Sequence, residues 1–576
     1  MRRALTLKKL LTYIGKYRWL LLLTLLLSAL TVVSALFLPI MIGEAVDLLL
    51  GPGNVDLLSL GLILLKMLLL IALTALAQWL LNLCSNRLAF DTVREVRKDA
   101  MHKLSRLPLS WLDAHPQGDL LSRVISDADV LSDGLLIGFT QLFSGVLTVV
   151  GVLVFMLMKS VPLGLMVALL TPLSILTARM IAGRSFSLFR QQSVDRGEMT
   201  ALIEEMTEEA KLVKAYGREA EVKERFASLN KKLGVDMQKA TFVSSLTNPM
   251  TRFINNLVYA AVAVFGAFLV LKGTGFTPGL LTAFLVYANQ YTKPFNEISG
   301  VMTELQNALA SADRVFSLME EADEEETGTG GPEENSEIVF DRISFSYLPD
   351  KPLIRDFSLS VPYGRQIAIV GPTGAGKSTI INLLMRFYDV REGAIRLDGK
   401  DLRAYDRTAL RKSFGMVLQE TWLKEATVRE NIAYGKPDAT EEEILAAAKA
   451  AHAHGFILRL EKGYDTVISM DAGTLSVGQK QLLCIARAML TSPDMLILDE
   501  ATSSIDIRTE ERIRDAFRQL MTGRTSFIVA HRLSTIRNAD VILYMENGQV
   551  KEQGSHEELL RRNGAYAKLY NAQFSE

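Results

Sequence analysis

Gln366-IAIVGPTGAGKSTIINLLMRF-Tyr388 is the stretch whose reading decides the fold. Gln366 to Val370 is a short apolar run of strand character. Gly371-Pro-Thr-Gly-Ala-Gly376-Lys377-Ser378 follows, and then apolar residues at helical spacing. Strand, glycine-rich turn and helix are the context in which G-x-x-x-x-G-K-S binds phosphate. The glycines let the backbone approach closely, so that successive N–H groups and a helix N-terminus face an anion. On this reading Gly371, Thr373, Gly374, Ala375, Gly376, Lys377, Ser378 and Thr379 form a nucleotide cradle. Lys377 reaches the β and γ phosphates, and the Ser378 hydroxyl serves a Mg2+ ion.

Working outward, Met495-Leu-Ile-Leu-Asp499 reads as a second buried strand, expected directly beside the P-loop strand, with Asp499 and Glu500 at its carboxyl end. Ligands of open α/β sheets bind at that end. Asp499 is expected in the Mg2+ shell, and Glu500 is expected to polarise an attacking water as general base. Residues 337–576 as a whole read as a soluble α/β domain of short strands, helices and glycine turns.

About 20 residues before that strand lies Leu475-Ser476-Val477-Gly478-Gln479, continued as a helix from Lys480 to Leu490. It resembles the signature motif of the ABC family. The resemblance adds Tyr347 in SFSY as the aromatic on which adenine stacks and Gln419 in VLQE as a Q-loop residue and Mg2+ ligand. It also adds Asp506 in SSID as the D-loop acid, and His531 in IVAHRLST as the switch histidine beside the catalytic Glu500. Singly, Tyr347 would be a packed aromatic, Gln419 a surface amide and His531 a satisfied histidine; the order and spacing of the set favour function. The resemblance further implies that Ser476, Val477, Gly478 and Gln479 complete the ATP site of a second subunit. One nucleotide domain therefore makes the chain half of a dimeric transporter.

Residues 1–319 are of another character. The chain has 576 residues with 49% hydrophobic, and its mean hydropathy is +0.20. Six apolar stretches, near 19–43, 61–84, 135–158, 161–182, 253–271 and 280–303, have the roughly 20 residues needed to cross a bilayer. MRRALTLKKLL ahead of the first reads as an interfacial helix rather than a cleaved signal. No peptidase segment precedes the spans, so processing of a leader peptide is not expected. Lys and Arg gather in the N-terminal segment, in 85–134 and in 179–252, which puts these and the nucleotide domain on the cytoplasmic side. FDTVREVRKDAMHKLSRL and the stretch 204–233 have helical periodicity, so membrane helices are expected to continue into the cytoplasm. Acidic EEADEEETGTGGPEENSE reads as a linker, with 320–336 joining the two domains.

Net charge is −1, from 63 Lys+Arg against 64 Asp+Glu, which argues against a nucleic-acid binder. Cys84 and Cys484 are too few and too far apart for a disulfide framework or a zinc site. The fold class expected is a membrane α-helical domain of six transmembrane helices with long cytoplasmic extensions, plus an α/β P-loop ABC nucleotide-binding domain.

Trp111-Leu-Asp113 with Gly118-Asp-Leu-Leu-Ser-Arg123, and Val213-Lys-Ala-Tyr-Gly217-Arg-Glu219, resemble the two coupling connections of ABC exporters. Polar and aromatic candidates for a substrate cavity are Gln78, Asn255, Asn256, Tyr259, Tyr287, Asn289 and Gln290; Lys66, Gln141 and Tyr291 are further intramembrane polar groups. Interhelical hydrogen bonding is the alternative use of each amide. Val477 departs from the family's usual glycine, and Ser469–Gly473 matches its acidic loop only loosely. GPTGAGK, FGMVLQETW and LSVGQKQLLCIARAML resemble the catalytic-glutamate-bearing member of heterodimeric bacterial multidrug exporters. What this implies is Mg-ATP-driven export of amphipathic compounds across a bacterial plasma membrane, with a different half as partner. A lipid or lipopeptide flippase, or a peptide exporter, is the alternative; an ATP-gated channel or an importer is more remote.

Overall fold

The structure, a computed structural model, describes residues 2–49, 56–273, 275–325, 328–348, 350–418, 421–469, 475–499, 506–529 and 536–574. The chain divides into two compact units. One holds Met1–Arg106 and His115–Glu321, the other Leu107–Ala114 and Ala322–Glu576.

In the first unit, α1 (Arg2–Gly15) leads into α2 (Arg18–Asp47) and α3 (Leu57–Leu104). Short α4 (Leu109–Asp113), which belongs to the second unit, and α5 (Gln117–Val124) precede α6 (Ser126–Ile137). A π-helical turn at Gly138–Leu142 joins α6 to α7 (Phe143–Lys159). Then come α8 (Val161–Glu208), α9 (Ala210–Ala215), α10 (Glu219–Ser245), α11 (Thr247–Leu271) and α12 (Pro278–Glu320). At 1.5 Å per residue the 48-residue α3 and α8 are each about 72 Å long, well beyond the apolar thickness of a bilayer. Charged residues fill the surplus.

Among the described residues, five helical stretches are long and apolar enough to cross a membrane: Arg18–Asp47, Leu57–Leu104, Gln117–Lys159, Val161–Glu208 and Glu219–Leu271. The sixth expected span lies in α12, where Asn289, Gln290 and Lys293 interrupt the apolar run. A polar stripe on one helical face lowers hydropathy without shortening the helix.

The helices of this unit meet through small residues and side-chain caps. A Cβ on Gly279 would lie 2.0 Å from the Gly43 carbonyl oxygen, so α2 and α12 touch backbone to backbone. Beside this crossing Asp47 caps α12: Oδ1 accepts from the Gly279 N–H and Oδ2 from the Thr277 hydroxyl, each at 2.7 Å. Tyr13 of α1 donates to Asp99 of α3 at 2.7 Å and stacks on Phe316 of α12, which pins the N-terminal helix.

The second unit is built on two sheets and a two-stranded ribbon. Its strands are β1 (Ile338–Phe345), β2 (Ile354–Val361), β3 (Gln366–Val370), β4 (Glu392–Leu397), β5 (Lys400–Asp401), β6 (Phe414–Val417), β7 (Ala426–Thr427), β8 (Val467–Ile468), β9 (Met495–Asp499), β10 (Thr525–Val529), β11 (Val541–Glu546) and β12 (Gln549–Gly554). An antiparallel sheet has the order β2-β1-β4-β5, a larger one the order β12-β11-β3-β10-β9-β6, and β7 pairs antiparallel with β8 in the ribbon. In the larger sheet β11, β3, β10, β9 and β6 run parallel. Alternation assigns Ile367 and Ile369 of β3 to one apolar layer and Ala368 and Val370 to the other. Burial on both faces is what the unbroken apolar runs of these strands require.

One expectation is corrected here. The strand 495–499 is not directly beside the P-loop strand, because β10 lies between β9 and β3 and pairs with both. All five residues of β10 are buried, which suits a central position. A second correction concerns the acidic segment after α12. Glu324 accepts from Arg407 and Arg411, and Arg407 Nε donates to the Glu325 carbonyl at 3.0 Å. This part of the stretch read as a linker is an ion-paired strap on the nucleotide unit, and Arg407 also pairs with Asp389 at 2.9 Å.

Candidate active site

The P-loop follows β3, and its conformation explains its glycines. Gly376 has φ +95°, and a Cβ there would meet Ile354 at 2.6 Å. Gly371 has φ +147°, and a Cβ there would sit 2.0 Å from the Met545 carbonyl oxygen. Any other residue would be strained at the first and blocked at the second. Gly376 starts the helix Lys377–Leu384, whose first-turn N–H groups have no carbonyl partner within the helix. Those amides and the positive end of the helix dipole suit an anion.

Lys377 is only 9% exposed, and its ammonium donates to the Gly371 and Pro372 carbonyls at 2.8 and 3.0 Å. Burial pushes its pKa down, and the Asp499 carboxylate opposes that shift. The charge is thus held over the loop by weak neutral acceptors that a phosphate would outcompete. Thr373, Gly374 and Ser378 are exposed on the loop, while Ala375 and Thr379 are buried beneath it. Asp499 closes β9, level with Val529 of β10. Because β3, β9 and β10 are parallel, the P-loop, Asp499 and the chain leaving Val529 emerge at one sheet edge. Gln419, Glu500 and His531 lie outside the described residues.

Tyr347 follows β1 and is 43% exposed. Phe345 and Tyr388 pack edge-on against it, with centroids 5.0 and 4.9 Å away, and Asn382 of the P-loop helix donates to its hydroxyl at 3.0 Å. Edge contacts hold the ring plane while leaving the ring exposed for a stacking partner.

The signature segment opens the 15-residue helix Val477–Thr491 with a capping box. Ser476 Oγ accepts from the Gln479 N–H, and Gln479 Oε1 accepts from the Ser476 N–H. Gln479 is engaged within its own helix. Val477 is 51% exposed, and Gly478 is buried. Asp506 caps the helix Ile507–Met521 by accepting from the Thr509 N–H at 2.9 Å, and these hydrogen bonds hold its carboxyl below the usual range.

In the membrane-spanning unit a cleft of about 760 Å3 lies between α11 and α12. It gathers Asn255, Asn256, Tyr259, Asn289 and Gln290 of the expected cavity set. Two of that set are elsewhere. Tyr287 is buried in the apolar core, where its hydroxyl donates to the Leu36 carbonyl, because its ring packs with Phe155. Gln78 is on α3, where its amide donates to Asn82 at 3.3 Å, and is not among the cleft residues. Of the further polar groups, Tyr291 is buried against Phe295, and Lys66 and Gln141 lie outside the cleft.

Arg252 and Lys293 line the same cleft and were missed, since Arg252 precedes the apolar stretch by one residue and counted only as a cytoplasmic charge. The available signal was spacing: Arg252, Asn255, Asn256 and Tyr259 share one face of α11, and Asn289, Gln290 and Lys293 one face of α12. Asn255 Oδ1 and Gln290 Oε1 are buried without a hydrogen-bond partner among the described residues. Such atoms are costly unless something fills their valence.

Residues 21–295 match the family described as "ABC transporter transmembrane region", and residues 354–503 match "ABC transporter". A "Fatty acid ABC transporter ATP-binding/permease protein" of Mycobacterium bovis is 46% identical over 84% of this chain and 76% of its own length. An "ATP-dependent lipid A-core flippase" of Syntrophus aciditrophicus is 36% identical over 84% of this chain and 81% of its own. Among solved structures, a bacterial Atm1-family ABC exporter with ATP bound superposes with TM-score 0.77 at 31% identity, covering 96% of this chain and 98% of the other. None of these names specifies a multidrug exporter or a heterodimer. The chain is an ABC exporter half-transporter, a multi-pass membrane protein in which the transmembrane region and the ATP-hydrolysing domain are fused, and it works with a second ABC half.

Proposed function

We propose that the protein couples ATP hydrolysis to the outward movement of an anionic, lipid-like amphiphile across a bacterial plasma membrane. The observation that carries the reading is the α11–α12 cleft, where Arg252 and Lys293 join amides and Tyr259 with no carboxylate among the described lining residues. Two cations lining one cleft of the membrane-spanning unit are expensive unless an anion meets them. A carboxylate or phosphate headgroup would supply that charge and also a hydrogen-bond network for the orphaned amides. The relatives named for fatty acid and lipid A support this cargo over the multidrug reading.

In the nucleotide half, Lys377 and the loop amides would hold the phosphates, and adenine would stack on Tyr347. Ser378, Asp499 and Gln419 fit a hard oxygen-ligated cation such as Mg2+, which would neutralise charge on the β and γ phosphates. Glu500 would take the proton of the attacking water, and His531 would sit against the γ phosphate. Ser476, Val477 and Gly478 would close the partner's site, while Gln479 orders the helix that carries them. On the resemblance of FGMVLQETW and LSVGQKQLLCIARAML the second half is a different chain; robust hydrolysis by this chain alone would instead identify a homodimer.

The test is binding of a tail-labelled fluorescent fatty acid to the purified protein in nanodiscs of neutral phosphatidylcholine. Saturable binding displaced by oleate but not by methyl oleate is expected. One charge-assisted hydrogen bond is worth about 1.5–3 kcal/mol, so the ester should compete about tenfold worse or more. Equal displacement by the ester, or displacement by a cationic dye alone, would refute an anionic cargo.

A further inference from the structure

A cavity of about 810 Å3 within the nucleotide unit is walled by residues from three separate stretches, 108–114, 322–325 and 345–348, and by the chain after the P-loop helix. The first is the coupling segment that contains α4. The second is the strap held by Arg407 and Arg411. The third carries Tyr347.

Phe345, Tyr347 and Tyr388 form a closed triangle of rings. Their centroids are 5.0, 4.9 and 5.6 Å apart, with interplanar angles of 88°, 89° and 68°. The Tyr388 hydroxyl donates to Asp113 Oδ2. Burial and that carboxylate together push the Tyr388 phenol well above its ordinary range, so it remains a donor at any physiological pH. Rings packed edge to face cannot turn independently. A base lying on Tyr347 restrains that ring, the ring restrains Tyr388, and Tyr388 holds the segment that contains Asp113.

We propose that Tyr388 is a positioning residue that makes adenine binding on Tyr347 and the placement of coupling segment 107–114 one linked equilibrium. The proposal rests on reading Tyr347 as the adenine platform. Linkage is reciprocal: if ATP orders the segment, then the ordered segment must strengthen ATP binding by the same factor.

The experiment uses the full-length protein in phosphatidylcholine nanodiscs, with ATP affinity, thermal unfolding and amide hydrogen exchange of residues 107–114 measured with and without ATP. In the unsubstituted protein ATP slows exchange in 107–114. Tyr388→Phe keeps the ring triangle and loses only the bond to Asp113. It is expected to leave the unfolding midpoint unchanged, to abolish most of the ATP-dependent protection, and to weaken ATP binding by no more than the factor by which that protection falls.

Asp113→Ala should reproduce that loss, Asp113→Asn should restore much of it because its carbonyl still accepts, and the double substitution should be no worse than either single one. Protection unchanged in Tyr388→Phe, additive losses in the double variant, or a loss of ATP affinity in Tyr388→Phe larger than its loss of protection would each overturn the proposal. Tyr347→Ala separates the two layers: unchanged ATP affinity there rejects the adenine platform, whereas lost affinity with intact protection in Tyr388→Phe rejects only the linkage.

Discussion

The nucleotide half and the membrane half build their sites by opposite means. In the first, a run of consecutive residues wraps an anion with backbone amides, so that even the glycines at 371 and 376 are dictated by local geometry. In the second, the cleft is assembled by side chains from α11 and α12, each contributing one face of a helix. A backbone site imposes a contiguous motif, while a side-chain site imposes only a periodicity that neighbouring helices must complete. That difference explains why the chemistry of one half identifies the family and the chemistry of the other separates its members.

The contrast can be broken at several points. Glu500→Gln should retain ATP binding and lower turnover by about 10²–10⁴-fold, the span of a lost general base; phosphate release at the unsubstituted rate would remove Glu500 from the mechanism. Gly279→Leu tests whether the membrane half also contains a backbone-dictated position. Its side chain would enter the Gly43 backbone, and overpacking of this kind costs about 1–3 kcal/mol. Gly183→Ala, where a Cβ meets nothing within 4 Å, is the control and should change the unfolding midpoint little. Equal midpoints for both variants would mean that the α2–α12 contact is not tight.

Tyr347→Ala should weaken nucleotide binding by roughly 1–3 kcal/mol, the worth of one aromatic stack on a base, and isothermal titration would register a shift of that size or reject it. The smallest effect is expected from Val477→Gly. At an exposed first helical turn it should cost a few tenths of a kcal/mol of stability, and a large loss by calorimetry would mean that Val477 packs against something in the dimer.

Much of this was legible in the sequence, for physical reasons. The strand, turn and helix around Gly371–Ser378 and the acids after β9 stand out because φ sign, burial and charge act on adjacent residues. The long charged extensions of the membrane helices stand out because charge at helical spacing follows directly on an apolar run. Strand order did not, since nothing local tells β9 that β10 will insert between it and β3. Tyr287 and Gln78 were misplaced because an intramembrane polar group can turn to a carbonyl or an i+4 amide as readily as to a cavity. Arg252 was overlooked because a cation at a span boundary looks like a topological signal, and Lys293, inside the last span, gains its meaning only when the facing helix supplies a second cation. The ion pairing of Glu324, within the stretch read as a linker, was not legible because its partners, Arg407 and Arg411, are more than 80 positions away.

The most direct test of the central claim is ATP-driven uptake into inside-out vesicles from cells that make the protein together with its second half. Tail-labelled oleate and a cationic dye would be offered in parallel. The account predicts Mg-ATP-dependent accumulation of oleate, absent in Glu500→Gln and reduced in Arg252→Gln with Lys293→Gln. Accumulation of the dye without oleate, or oleate uptake indifferent to the loss of both cations, would contradict it.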